Sequence, residues 1–240
     1  MKILILGHRG MLGSMVSKYF SSLKNCEVET TQLRWGDKEF KSELCSFKGE
    51  AVINCIGSIP QRCDEFSVNF ELPIWLDKTL KCNIVHPATD CEMDEDDYGL
   101  SKRKAMDYLK KHGARTWAIK TSIIGPELST SCSLLEWFLN TPLEEVKGYT
   151  HQMWNGITTL QWAKICWEIV NDFDSFSGVT IPYSECISKF ALLSIIKEVY
   201  GKNINIVGSD TVKVNKCLDG NLATADIEQQ LKCLVRFSEF

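Results

Sequence analysis

The sequence has no apolar run long enough to cross a bilayer, no internal repeat, no low-complexity tract, no Pro/Gly-rich linker and no C-x-x-C pair. Each absence removes a class of protein. A transmembrane helix needs about 20 consecutive apolar residues, which excludes one here. The apolar part of "MKILILGHRG" is cut short by Gly7 and is too brief for a secretory signal peptide. A cytoplasmic protein is therefore expected. Its eleven cysteines are an odd number with neither zinc spacing nor a disulfide framework, so no metal site is expected and most should be small buried hydrophobes in a reducing compartment. Charge of one sign is missing as well. With 27 Lys and Arg against 31 Asp and Glu, a net charge of −4 recruits neither nucleic acid nor an anionic membrane. Any anionic ligand must be held by local positive groups.

What is present is a regular alternation of strand and helix. "KILILG" (2–7) is a short apolar run, and "MLGSMVSKYFSSL" (11–23) repeats its apolar residues at helical spacing. "EVETTQL" (27–33) alternates like a strand, 38–47 suits a short helix, and "AVINCIG" (51–57) reads as a buried strand. A helix over 69–81, a strand over 83–89, a helix over 98–113 ended by Gly113 and a strand over 115–125 closed by Gly-Pro follow. This order predicts an α/β fold with a Rossmann-type, doubly wound parallel sheet. After Pro126 the rhythm loosens into a helix at 133–139, a turn-rich piece "VKGYTHQMWNGI" (146–157) and helices at 158–170 and 188–201. The expected division is a dinucleotide-binding domain over 1–125 and a small substrate lobe over 126–240, with elements around 158–183 returning to the first domain. Such a lobe would stand over the carboxyl ends of the strands, where these sheets bind ligands.

Two stretches carry chemistry. "LILGHRGMLGS" sets Gly7, Gly10 and Gly13 between the first strand and the first helix. There, glycines permit a tight turn and close packing, while the N–H groups of a helix start attract a pyrophosphate. Between strand and helix, dinucleotide binding outweighs a plain glycine turn. No acidic residue closes the second strand cleanly, Glu27 and Glu29 lying early in it, whereas Arg9 and Arg34 are placed to meet a 2′-phosphate. NADP(H) is accordingly preferred, with NAD(H) the alternative. In "MDEDDYGLSK" (93–102), Tyr98 and Lys102 are one helical turn apart on the arc shared with Ala105, Met106 and Leu109. An inward lysine is costly without a purpose, and an ammonium beside a phenol would lower its pKa and suit proton transfer. The four carboxylates 94–97 are expected to face water and complement the helix N-terminus.

Together, Gly7, Gly10, Gly13, Tyr98 and Lys102 resemble the extended short-chain dehydrogenase/reductases. "ATDC" before "YGLSK", then "TSIIGPEL" (121–128) and "WNGITTLQWAK" (154–164), are similar to the dTDP-4-dehydrorhamnose reductase family of sugar-nucleotide reductases, and "GHRGMLGS" also resembles the cofactor loop of GDP-fucose synthase. The resemblance spans most of the chain and fades in the last forty residues. It implies deoxysugar biosynthesis: an NAD(P)H-dependent reductase of a 4-keto-6-deoxy sugar nucleotide, with relatives that are often homodimers. By position, Thr89 would hydrogen-bond the substrate carbonyl, Tyr98 would protonate its oxygen, and Lys102 would hold the nicotinamide ribose and tune Tyr98. Gly7, Arg9, Gly10, Met11, Leu12, Gly13, Arg34, Asn54 and Gly57 would join them in binding the cofactor. Thr89, Cys91, Trp154 and Asn155 would meet the substrate.

The chain departs from that pattern in one place. Only eight residues, "DCEMDEDD", separate Thr89 from Tyr98, where the family has a longer loop bordering the substrate. That departure favours one alternative, a non-catalytic, NADP-binding regulatory or scaffold subunit. Another comes from the resemblance: Cys91 matches in position the epimerising cysteine of GDP-fucose synthase, which implies a bifunctional 3,5-epimerase/4-reductase in which Cys91 would remove a proton beside the ketone with His151 as the partner to name.

Overall fold

The computed structural model describes residues 1–176 and 178–238. In chain order the elements are β1 (Lys2–Leu6), α1 (Met11–Ser21), β2 (Glu27–Thr30), α2 (Phe40–Ser46), β3 (Ala51–Asn54), α3 (Val68–Thr79), β4 (Asn83–Ala88), α4 (Asp97–His112) and β5 (Thr116–Lys120), followed by β6 (Ile123–Ile124), α5 (Leu134–Asn140), β7 (Glu145–Trp154), β8 (Ile157–Thr158) and α6 (Thr159–Asn171), and then β9 (Val179–Thr180), β10 (Pro182–Tyr183), β11 (Ile187–Ser188), α7 (Lys189–Tyr200), β12 (Asn205–Asn215), β13 (Leu222–Ala223) and α8 (Ile227–Ser238). They form two compact units, one of Met1–Lys120 with Ala163–Thr180 and one of Thr121–Trp162 with Ile181–Phe240.

The first unit is a Rossmann-type α/β body. Its six strands lie in the order β2-β1-β3-β4-β5-β9, and every pairing is parallel. Ile3, Ile5, Leu6, Ala51, Val52, Ile53, Ile84 and Val85 are buried because both faces of a parallel sheet are covered. The chain winds outward from β1 toward β2, then returns to β3 and runs the other way. The resulting switch point lies between β1 and β3, where a crevice opens beyond the carboxyl ends of the strands.

Two strand boundaries differ from expectation. β2 stops at Thr30 because the Thr31 hydroxyl accepts from the Leu33 N–H and turns the chain. The expected strand over 115–125 is two strands: β5 stays in the main sheet, and β6 pairs with β8 in the second unit.

The second unit contains a three-stranded sheet, β11-β7-β12, and the pairs β6-β8 and β10-β13. The piece read as turn-rich is in fact the ten-residue strand β7. Its Gly148 is there for room, since a Cβ would come within 2.8 Å of the Phe190 ring and 2.9 Å of Ile206. α8 buries Ile227, Gln230, Leu231 and Leu234, one helical stripe. The cysteines also correct expectation: Cys186 and Cys217 are joined in a disulfide, Cys166 is buried, and Cys45, Cys63 and Cys132 are exposed.

Candidate functional site

Two features of the first unit converge on the switch point. The first is the glycine loop. Gly7 has φ +75°, and a Cβ on it would stand 2.8 Å from the Cys55 carbonyl carbon, while one on Gly13 would collide with the Gly7 carbonyl oxygen. Only glycine lets β1, the turn and α1 pack this closely. Gly10 N–H donates to Gly7 O at 2.9 Å and caps α1 without a side chain. No acidic residue lies in the first turn. The leading N–H groups of Met11, Leu12 and Gly13, with the positive end of the helix dipole, therefore face any anion placed there. Beside this helix start lies a cleft of about 650 Å³ lined by Gly7, Arg9, Arg34, Gly57 and Arg62, with Glu65 as its one acidic wall residue. Glu65 is engaged with the Ser67 N–H at 2.6 Å. The wall is thus predominantly cationic.

The second feature is the turn between β4 and α4. Thr89 directly follows β4 and caps a 3-10 turn, Asp90–Met93, accepting from Cys91 N–H at 3.2 Å and donating to Asp90 at 3.0 Å. α4 starts at once: Asp96 accepts from Gly99 N–H at 2.7 Å. A Cβ on Gly99 would stand 2.5 Å from Cys91 O, so the short bridge closes because position 99 is glycine. Glu95, Asp96 and Asp97 face water as expected whereas Asp94 is half-buried, and Glu95 pairs with Arg103 at 3.2 Å.

This turn sets Tyr98 near enough to the Thr89 hydroxyl for that group to bear on its pKa, with Lys102 one turn on. Burial raises the Tyr98 pKa, the charges of Cys91, Asp90 and Asp96 add to the rise, and Thr89 works against it. The expected lowering by Lys102 does not occur. The ammonium sits 6.0 Å from the Tyr98 ring centroid, and a Cβ on Gly57 would be 3.3 Å from Nζ, so Lys102 extends toward the bare Gly57 backbone. Lys102 is 7% exposed, and burial depresses its pKa to about 8 against the favourable charges of Glu92 and Cys91. Among the described residues Nζ has no hydrogen bond or ion pair.

Other candidate residues occupy different places. Asn54 is fully buried, its amide meeting His86 Nδ1 at 3.1 Å and accepting from Ile56 N–H, so it fixes the turn after β3 and does not line the cleft. Asn69 likewise binds Ser58 and Ser101. Arg9 and Arg34 are exposed on the cleft wall. Trp154 and Asn155 belong to the second unit and are both buried: Lys189 stacks on Trp154, and both ends of the Asn155 amide are taken by the Leu218 backbone at 2.9 Å. Their side chains serve packing. His151 is exposed on β7 and meets Thr150 at 3.0 Å.

No family model and no curated protein sequence matches the chain. Solved structures do. A dTDP-4-dehydrorhamnose reductase from Clostridium acetobutylicum is 18% identical with TM-score 0.77, covering 100% of both chains. A dTDP-4-dehydrorhamnose reductase from Bacillus anthracis, solved with NADP, is 14% identical with TM-score 0.79 over 98% of each chain. The fold is theirs. A dTDP-glucose 4,6-dehydratase from the same organism, solved with NAD, is similar at 15% identity and TM-score 0.69, covering 100% of this chain and 96% of that one. The Rossmann-type fold is therefore shared with proteins named for more than one chemistry, and the side chains must separate them.

Sequence reasoning missed Arg62, His86, Glu92 and Lys120. Thr89 and Glu92 form a capping box, with Thr89 N–H donating to Glu92 at 3.4 Å, and the T-x-x-E spacing was its signal. His86 is 1% exposed, burial and the Lys102 charge hold its pKa down to about 3, and its Nε2 has no partner among the described residues. A histidine within an apolar strand gives no hint of its partner Asn54.

Proposed function

We propose that the first unit is an NADPH-binding domain and that the protein is a reductase of a 4-keto-6-deoxy sugar nucleotide. The carrying observation is the convergence of Thr89 and Tyr98, with Lys102 buried behind them, at the carboxyl end of the parallel sheet. The residues present fit the cofactor: an uncapped helix start takes a pyrophosphate, Arg9, Arg34 and Arg62 favour the extra 2′-phosphate over a bare ribose, and the unpartnered Lys102 ammonium is a donor for ribose hydroxyls. When bound, the nicotinamide supplies a hydride.

The chain's own residues do the rest. Thr89 Oγ1 turns its one hydrogen from Asp90 to the carbonyl oxygen and orients it. Tyr98 keeps its proton at working pH because burial raises its pKa, and it releases that proton to the oxygen only as negative charge develops there. The Lys102 ammonium, extended toward Gly57, is left to hold the nicotinamide ribose.

The test is purified protein with NADPH and dTDP-, UDP- or GDP-linked 4-keto-6-deoxy sugars, following loss of NADPH. Turnover with one of them supports the reading. Tight NADPH binding with none turned over would instead make the protein a nucleotide-binding subunit.

A further inference from the structure

Glu92 belongs to neither the glycine loop nor the tyrosine helix, yet it joins the parts of the site. It is 3% exposed. One carboxylate oxygen accepts from the Thr89 N–H at 3.4 Å, and the other meets Lys120 Nζ at 2.7 Å. Lys120 is the last residue of β5, in register with Ala88 of β4, so the pair ties the ends of two adjacent strands to the turn that carries Thr89. Burying two charges is costly, and an apolar pair of the same volume is often as stable or more so. Stability alone is therefore a poor reason for an ion pair here.

The charges of Glu92 and Cys91 in the turn act on the Lys102 ammonium, whose own charge acts on His86 of β4, and the Tyr98 ring centroid lies 6.0 Å from Nζ. Glu92 is the carboxylate among them, and its charge favours the protonated amine against desolvation. Resting on the proposed roles of Tyr98 as proton donor and Lys102 as cofactor ligand, we propose that Glu92, clamped by Lys120, is a positioning residue: it holds Thr89 at the end of β4 and supplies the negative charge that keeps Lys102 an ammonium in its desolvated place.

The test measures the Lys102 amine directly, by NMR titration of lysine ε-carbons in the nucleotide-free protein, alongside the pH profile of kcat/KM. The wild-type midpoint is expected near 8. Glu92→Gln should lower it by about half a unit or more, and should move the alkaline limb of kcat/KM the same way, reducing kcat more than it raises KM for NADPH. Because Glu92→Gln leaves Lys120 unpaired and destabilises the fold, the double variant Glu92→Gln/Lys120→Met is measured too. It should recover the melting temperature without recovering the Lys102 midpoint or kcat. If the double variant recovers all three, or if Glu92→Gln leaves the Lys102 midpoint in place, the pair is only structural and the inference falls. A wild-type protein that reduces no keto sugar sinks the reductase reading instead, and the nucleotide-free titration still decides whether Glu92 sets the charge of Lys102.

Discussion

At the scale of single residues, burial sets the chemistry of Tyr98, Lys102 and His86. On the proposed reductase reading the raised Tyr98 phenol is the proton donor, so Tyr98→Phe should lower kcat by roughly 10²–10⁴-fold. The NADPH dissociation constant, read by fluorescence titration, should stay the same. Lys102 is lowered from 10.5 to about 8. Between those values the unfolded chain holds a proton that the folded one lacks, so stability rises with pH across the window, and below pH 8 the cost of the buried ammonium is felt in full. Lys102→Met is therefore expected to be more stable than wild type at pH 7, by of order 1–3 kcal/mol in urea unfolding, while losing activity. His86, lowered from 6.5 to about 3, has the same sign. Its contribution is lost as pH falls from 6.5 toward 3, and His86→Gln should flatten the melting temperature over that range relative to wild type.

At the scale of elements, the decisive one is the joint between β4 and α4. Gly99 meets Cys91 O too closely for a side chain, so Gly99→Ala should cost about 1–3 kcal/mol by thermal unfolding and displace Tyr98 from Thr89, reducing activity. Asp96→Ala removes only a cap and should cost about 1 kcal/mol with the site intact. Elements with a clear period were legible in the sequence: the apolar runs of β1, β3 and β4 and the amphipathic α1 and α4 all lie close to their expected spans. β7 was not, because Gly148 and the polar residues around it imitate a turn, and its strand character comes from pairing with β11 and β12 far along the chain. For the site, the spacing of Tyr98 and Lys102 placed both inward. The direction in which the ammonium extends was illegible, being set by the bare backbone of Gly57 in a different loop. Asn54 and Asn155 read as ligand contacts because an asparagine near a cleft looks the same in sequence whether its amide faces the cleft or is taken by neighbouring backbone and side-chain groups.

At the scale of the whole molecule, the Cys186–Cys217 bond closes a loop with a sequence separation of 31 in the second unit. Constraint of the unfolded chain by a loop of that length is worth about 3–4 kcal/mol in the chain-entropy model. A melting curve recorded with and without a dithiol reductant should show that loss, and Cys186→Ser should match the reduced protein while being insensitive to the reductant. The order of segments has a different kind of consequence. The first unit is written in two pieces, and its edge strand β9 follows the whole of Thr121–Trp162. During synthesis β5 must therefore emerge with its outer edge unpaired and wait until Thr180 has cleared the ribosome, an interval in which nascent chains stalled between these points should be the ones that chaperones hold and proteases cut.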